Sequence, residues 1–109
     1  LTNRIRNRST LMVDEVAQRV DLRGKSVLEL ACNCGFWSAR YAERGATRVV
    51  GIEGRAKYVD QAQLYWSTNR FLPEGAYTFL NGDIADPQAW TRLRELGPFD
   101  VVICAGILY

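Results

Sequence analysis

Three acidic side chains follow short apolar runs of the sequence, and carboxylates in such positions can bind polar ligands. Glu29 and Glu53 end the first two runs, and Asp83 lies just beyond the third. A carboxylate accepts hydrogen bonds from both hydroxyls of a ribose, and such an acid typically stands about 20 residues beyond a glycine-containing loop. Glu53 has that spacing from the loop that follows Glu29. The spacing therefore predicts a site for a ribose-containing ligand.

The loop after Glu29 consists of small residues and leads into a helical pattern. It reads Ala31-Cys32-Asn33-Cys34-Gly35, and a helix is predicted to begin at Phe36. Such a turn brings backbone N–H groups close to a ligand at a helix N-terminus. Ala is nearly as small as Gly, and Asn tolerates positive φ, so this loop can keep the shape of a glycine-rich one. We expect its two cysteines to be small loop fillers rather than nucleophiles.

Apolar periodicity predicts helices that alternate with strands. A first helix, capped by Ser9 or Thr10, has an apolar stripe at Val13, Val16, Ala17 and Val20. Strands are predicted at residues 26–30, 48–53, 76–80 and 99–105, and further helices at 36–44, at 55–69 and from Pro87 onward. Alternation of this kind indicates an α/β fold with a parallel sheet and helices on both faces. The last strand is apolar along nearly its whole length, as expected for burial on both faces.

Composition limits the chemistry that this sequence can carry. The chain has 109 residues, a formal net charge of +2, three cysteines and no histidine, so it lacks the commonest general base and an obvious zinc site. An odd cysteine count favours a reducing compartment, and we expect a cytoplasmic protein. No apolar run reaches the roughly 18–20 residues that span a membrane. Arg4, Arg6 and Arg8 form a basic cluster that is either solvated or in contact with an anionic substrate.

The motif Glu29-Leu30-Ala31-Cys32-Asn33-Cys34-Gly35 resembles the first motif of class I S-adenosylmethionine-dependent methyltransferases, (Asp/Glu)-x-Gly-x-Gly-x-Gly, with Ala31 and Asn33 in two glycine positions. The stretch from Phe99 to Tyr109 resembles the fourth motif of that family. The resemblance covers residues 25–109. It implies a Rossmann-like parallel sheet with helices on both faces, for which we predict the strand order 3-2-1-4, and a methyltransferase that uses S-adenosylmethionine.

The resemblance also implies roles for individual residues. Glu29 would lie near the methionine end of the cofactor, Glu53 would bind the ribose, Gly54 and Arg55 would line the adenine, and Asp83 would lie near the adenine amino group. The full set implied to bind the cofactor is Glu29, Ala31, Cys32, Asn33, Gly35, Glu53, Gly54, Arg55, Asp83, Ile84, Cys104 and Gly106. No general base is identified.

Each of these residues also has a purely structural interpretation. Glu29 could cap the adjacent helix or pair with an arginine, and Asp83 could form an Asx turn. The helical tryptophans Trp37, Trp66 and Trp90 are expected in the core, with Phe36 or Trp37, at the start of the helix next to the loop, as the exception. Cys104 is also expected in the core. For the ligand, an NAD-type dinucleotide is the alternative, since Glu53 would serve its ribose equally well. A cofactor-binding or scaffold fragment without turnover is the alternative to an enzyme.

The family fold has seven strands, and four can be identified here. We therefore expect a single partial domain, with residues 1–24 as an N-terminal segment and helix and residues 25–109 as cofactor-binding units. In strand order 3-2-1-4 the last strand is an edge, so we expect a homodimer or a partner chain to complete the sheet, and no transfer activity from the isolated chain. The methyl acceptor is predicted to be a small molecule or RNA. Cys32 and Cys104 are expected to end neighbouring strands and to lie near each other.

Overall fold

The structure is a computed structural model, and it describes residues 13–104. Helices and strands alternate along this part of the chain. The elements, in chain order, are α1 (Glu15–Arg19), β1 (Ser26–Leu30), α2 (Phe36–Glu43), β2 (Arg48–Glu53), α3 (Ala56–Asn69), β3 (Tyr77–Asn81), α4 (Pro87–Leu96) and β4 (Val101–Ile103). No helix among residues 13–104 is long and apolar enough to cross a membrane.

The four strands form one parallel sheet in the order β3-β2-β1-β4, which confirms the predicted fold class and strand order. β1 pairs with β2 from Ser26↔Arg48 to Leu30↔Ile52, and on its other side it pairs with β4. Because all four strands run in the same direction, their carboxyl ends meet at one edge of the sheet. Ligands of open parallel sheets bind at that edge, near the point where the strand order reverses.

Side chains that alternate along each strand supply two separate cores. Val27 and Val49 face a core shared with α1, α2 and α3. Leu28 and Val50 face a second core, closed by Ala89 and other residues of α4. Helices therefore cover both faces, as predicted. The apolar stripe of the first helix is confirmed as well, since its members Val13, Val16, Ala17 and Val20 all belong to the first core or pack against it, whereas Ser9 and Thr10 lie outside the described residues.

Trp66 is the centre of the first core. It is fully buried, and its ring lies within 5.1–5.3 Å of the rings of Phe71, Tyr77 and Phe79. Aromatic groups at such distances in edge-on or tilted arrangements attract one another in addition to burying apolar surface. The expectation of a core position is thus confirmed for Trp66, whereas Trp37 is only half-buried and Trp90 is exposed.

The last strand is shorter and less buried than predicted. Strand pairing extends from Val101 to Ile103, whereas residues 99–105 were expected, and Val102 is 56% exposed. α4 covers β1 and β2 on this face and leaves Val102 on the wall of an apolar groove, so the expectation of burial on both faces is wrong for the described strand. β4 does lie at one edge of the sheet. Pairing of that edge with another chain stays a prediction.

Candidate functional site

The carboxyl edge of the sheet brings together four of the predicted site segments. The loop at residues 31–35 follows β1, Glu53 ends β2, Asp83 lies two residues beyond β3, and Cys104 follows β4. The parallel register places the ends of β1, β2 and β3 side by side, with Leu30 opposite Ile52 and Glu53 opposite Asn81. Gly106 lies outside the described residues.

The loop after β1 adopts the left-handed backbone conformation that its sequence predicts. Ala31 and Asn33 both have φ of 56°, and Gly35 has φ of 78° as the residue that precedes α2. Left-handed φ is costly for a residue with a Cβ, least so for Asn. The two residues that stand in glycine positions therefore keep a glycine-like path, and that strain has to be offset by other contacts of the loop.

Contacts from below hold the loop against the sheet. The backbone N–H of Cys32 donates to the carbonyl of Ile52 at 3.0 Å, and the buried Cys32 side chain lies over Gly51. A Cβ added to Gly51 would lie 2.7 Å from the Cys32 Sγ atom, so β2 needs glycine here. Trp66 donates from its indole Nε1 to the carbonyl of Gly35 at 3.0 Å. The loop is thus fixed at its middle by Cys32 and at its end by Trp66.

Glu53 connects the loop to the end of β2. Its Oε1 atom accepts the backbone N–H of Asn33 at 2.9 Å, and its Oε2 atom accepts the backbone N–H of Arg55 at 3.0 Å and Nε of Arg55 at 2.9 Å. Burial acts to raise the pKa of Glu53, but these hydrogen bonds, led by that of the Arg55 side chain, outweigh burial and lower the pKa. The carboxylate is therefore negatively charged at neutral pH.

Glu29 occupies a different environment from that of Glu53. Its side chain is 2% exposed, and it accepts a hydrogen bond from the Ser38 hydroxyl, in the first turn of α2, at 2.5 Å. Burial raises the pKa of Glu29 to about 8, although the Ser38 hydrogen bond acts in the opposite direction. Here Glu29 anchors the adjacent helix from below, close to the structural interpretation of this residue. Its contact with the cofactor stays a prediction.

The predicted adenine-side residues lie beyond the ends of β2 and β3. Gly54 is exposed, and an added Cβ would meet nothing closer than the carbonyl oxygen of Gly82 at 3.9 Å. Asp83 is exposed, and its Oδ1 atom accepts the backbone N–H of Ala85 at 2.8 Å, which is the Asx-turn geometry of its structural interpretation. Ile84 is partly buried against the second core.

The three cysteines differ in access. Cys32 is buried, Cys34 is partly buried and Cys104 is exposed, and all three are free thiols. Burial, with the nearby charges of Glu29 and Glu53, raises the pKa of the Cys32 thiol. The Cys32 side chain packs toward β2, against Gly51, whereas β4 pairs with the other side of β1. Cys32 and Cys104 do follow neighbouring strands, and the proximity of their side chains stays a prediction.

Two side chains that shape the site were not identified from the sequence as parts of it. The hydrogen bond from Ser38 to Glu29 depends on how α2 packs over the sheet. The sequence shows only that Ser38 lies in the first turn of the predicted helix. Trp66 was expected only as a core residue, and its hydrogen bond to Gly35 joins residues 31 positions apart. Both contacts arise from tertiary packing.

Similarity to known proteins agrees with this architecture. A family model described as a methyltransferase domain matches residues 27–109. The tRNA U34 carboxymethyltransferase of Pseudomonas aeruginosa is 34% identical over 103 residues, which are 94% of this chain and 29% of that protein. The chain therefore spans under a third of the length of this curated relative.

Solved structures show the same fold. A methyltransferase from Thiobacillus denitrificans, in complex with S-adenosyl-L-homocysteine, matches with a TM-score of 0.65 and 19% identity, over 94% of this chain and 43% of that one. The Trypanosoma brucei PRMT1 enzyme–prozyme complex with AdoHcy matches with a TM-score of 0.60 and 28% identity, over 93% of this chain and 31% of that one. With the family match over most of its length, this chain belongs to the methyltransferase domain family.

Proposed function

We propose that this chain binds S-adenosylmethionine at the carboxyl edge of its sheet, as the cofactor-binding part of a methyltransferase. The observation that carries the proposal is the hydrogen bond of 2.9 Å from the Asn33 N–H to the Glu53 carboxylate. It joins the loop of the first motif to the acid that the spacing assigns to the ribose.

The residues at this edge fit an adenosine. A carboxylate has about four acceptor positions, and Glu53 uses three of them, so an acceptor position remains for a ribose hydroxyl. The low pKa of Glu53 keeps it an acceptor at neutral pH. Gly54, next to it, adds no side chain and leaves room for a flat base. We assign Gly54, Asp83 and the backbone of Arg55 to the adenine side and the loop at residues 31–35 to the methionine side.

S-adenosylmethionine, when bound, supplies a carbon already activated toward nucleophiles by the sulfonium. The part of the protein described here would then bind and orient the cofactor, because alignment of the reacting groups contributes much of the rate. A general base is required only for an acceptor that must lose a proton, and none is assigned within these residues.

For the whole protein we propose RNA as the acceptor, in preference to a small molecule. The proposal rests on the relative whose printed name specifies U34 of tRNA, with its 34% identity over 94% of this chain. We also propose a reducing, cytoplasmic location, which suits three free cysteines. Transfer from labelled S-adenosylmethionine to total tRNA, with a small-molecule extract as the comparison, tests the acceptor class.

The cofactor is tested by calorimetric titration with S-adenosylmethionine, S-adenosylhomocysteine and NAD. We expect the first two to bind and NAD not to bind. Glu53→Ala should weaken binding at least about tenfold, since hydrogen bonds to a charged group contribute about 1.5–3 kcal/mol each. Asp60→Ala, which removes an exposed acid of α3, is the matched control and should bind normally.

Thermal unfolding of both variants separates ligand binding from loop stability, because Glu53 also accepts backbone N–H groups from Asn33 and Arg55. Equal affinities of the two variants would reject the ribose assignment. Binding of NAD in place of the adenosyl ligands would favour the dinucleotide alternative.

A further inference from the structure

The side chain of Arg55 occupies one oxygen of the carboxylate that we assign to the ribose. Nε of Arg55 donates to Oε2 of Glu53 at 2.9 Å, and the guanidinium carbon lies 4.2 Å from the ring centre of Tyr58. The two members of this ion pair differ in burial, since the Glu53 side chain is 4% exposed and the Arg55 side chain is 59% exposed. The mobile partner is therefore the arginine.

The Glu53 carboxylate has too few acceptor positions for both the Arg55 side chain and a ribose. Glu53 already accepts two backbone N–H groups and one side-chain N–H, which leaves about one of its four positions. A ribose with two free hydroxyls needs two positions. The backbone N–H groups of Asn33 and Arg55 belong to the loop and to the residue before α3, and so they cannot easily leave. The guanidinium is the donor that can be displaced.

We propose that Arg55 is a latch on the cofactor site: its side chain closes over Glu53 and competes with a ribose hydroxyl for Oε2. This inference rests on the proposed function, because it takes Glu53 as the ribose acid. When the ligand binds, the hydrogen bond from Nε of Arg55 to Oε2 breaks and a ribose hydroxyl donates to Oε2 in its place. The two backbone N–H groups continue to donate to the carboxylate. The Tyr58 ring retains the guanidinium by cation–π attraction, so the arginine moves only a short distance.

The opposite role for Arg55 would be to orient Glu53 and so to strengthen binding. The geometry argues against it. One backbone N–H already donates to each carboxylate oxygen, from Asn33 to Oε1 and from Arg55 to Oε2, and these two bonds fix the plane of the carboxylate without the guanidinium. An additional donor on Oε2 adds little orientation and removes an acceptor position. The two roles predict opposite effects when the side chain is removed.

The test compares Arg55→Met with Lys57→Met. Both variants remove one exposed positive charge and keep an unbranched stem. The Nζ atom of Lys57 lies 5.1 Å from the same Tyr58 ring, so the control has a similar location. The probes are S-adenosylhomocysteine, whose sulfur is uncharged, and its 2′,3′-dideoxy analogue, which lacks both hydroxyls. Affinities are measured by calorimetry, with a thermal unfolding curve for each variant.

We expect Arg55→Met to bind S-adenosylhomocysteine about two- to fivefold more tightly than the unsubstituted protein, a modest gain because the guanidinium is 59% exposed and water competes for it. Lys57→Met should change the affinity less than Arg55→Met does. The affinity for the dideoxy analogue should not rise in Arg55→Met, because the analogue has no hydroxyl to donate to Oε2.

Several results would overturn the latch. Weaker or unchanged binding by Arg55→Met, an equal gain by Lys57→Met, or an equal gain with the dideoxy analogue would each exclude competition for Oε2. If Arg55→Met is poorly folded, Arg55→Gln is measured in its place under the same criteria. Failure of the proposed function looks different, because the unsubstituted protein would then bind neither S-adenosylhomocysteine nor S-adenosylmethionine.

Discussion

Glu29 should make the stability of the fold fall as the pH rises. The carboxyl is almost completely buried, its neighbour Ser38 is neutral, and burial raises the pKa from an ordinary 4.5 to about 8. Between these two values the folded chain holds a proton on Glu29 that the unfolded chain has released. The folded state thus binds more protons than the unfolded state, and linkage requires the free energy of unfolding to decrease with increasing pH.

The size of this effect follows from the pKa shift. Each pKa unit corresponds to about 1.4 kcal/mol, so a change from 4.5 to about 8 gives an upper limit of about 5 kcal/mol across the interval. Below pH 4.5 the carboxyl is neutral in both states, and the stability from this group is fully present. Above pH 8 it is charged in both states, and the loss is complete. Most of the decrease therefore falls between about pH 5 and pH 8.

Glu29→Gln is the variant that isolates this contribution, because the amide stays neutral and its oxygen can still accept the Ser38 hydroxyl. We expect the variant to gain stability relative to the unsubstituted protein as the pH rises from 5 to 8.5, by a few kcal/mol in urea unfolding. Glu74→Gln, an exposed acid between α3 and β3, is the control. A difference between Glu29→Gln and the unsubstituted protein that stays constant with pH would show that Glu29 is ionised in the fold, and would refute the reasoning.

Three further predictions concern the support of the loop. Gly51→Ala should destabilise the fold by about 1–3 kcal/mol in urea unfolding, because the new Cβ would lie 2.7 Å from the Cys32 sulfur. Gly54→Ala is the control, since its Cβ meets no close atom and should cost less. Equal losses of stability in the two variants would contradict the packing argument. Trp66→Phe removes the indole donor to the loop and should both lower the melting temperature and weaken S-adenosylhomocysteine binding; normal binding would mean that this bond does not shape the site. Thiol labelling should be fast at Cys104 and slow at Cys32, which is buried with a raised pKa, and fast labelling of both under native conditions would indicate that the loop opens.

A strand could be predicted from the sequence where an apolar run is clearly bounded by polar residues. The bounds of β1 and β2 agree with the prediction, since each apolar run is bounded by polar residues and contains or ends in an acid. β3 begins and ends one residue later than predicted. It includes Asn81, a typical loop residue, because Asn81 pairs with Glu53 in the ladder and donates from Nδ2 to the Glu53 carbonyl. Asn81 has low strand propensity, and the neighbouring strand overrides it.

The start of β4 shows a different limit of sequence reasoning. Phe99 and Asp100 continue the apolar-looking run, yet the Asp100 carboxylate accepts the backbone N–H of Ser26 and so tethers the entry to β4 to the start of β1. A local pattern cannot distinguish a residue in the strand ladder from one that approaches it through a side chain. The exposure of Val102 was likewise unpredictable, because it depends on where α4 crosses the sheet.

The residue types of the site were predictable, but their partners were not. Glu29 was selected by its place in the first motif and Glu53 by its spacing from the loop, and the two side chains lie in opposite environments. Glu53 accepts charge-assisted hydrogen bonds that lower its pKa, whereas Glu29 has one hydroxyl in an apolar setting that raises its pKa. The sequence shows two glutamates and does not reveal that their pKa values differ. Deep burial raises the pKa of Glu29 and makes it a neutral anchor, whereas hydrogen bonds from Arg55 and Asn33 keep Glu53 a charged acceptor.

The altered glycine positions of the loop explain why it has so many anchors. Ala31 and Asn33 hold left-handed φ values that cost of order 1–3 kcal/mol each and persist only where the surroundings over-determine them. The surroundings do so here. The backbone N–H of Asn33 donates to Glu53, and Oδ1 of Asn33 accepts the N–H of Cys34 at 2.8 Å. The N–H of Cys32 donates to a carbonyl of β2, and Trp66 donates to the carbonyl of Gly35 at the end of the loop. A loop of three glycines would reach this shape without such support. This chain instead fixes the shape by packing, so the loop at residues 31–35 depends directly on the core beneath it.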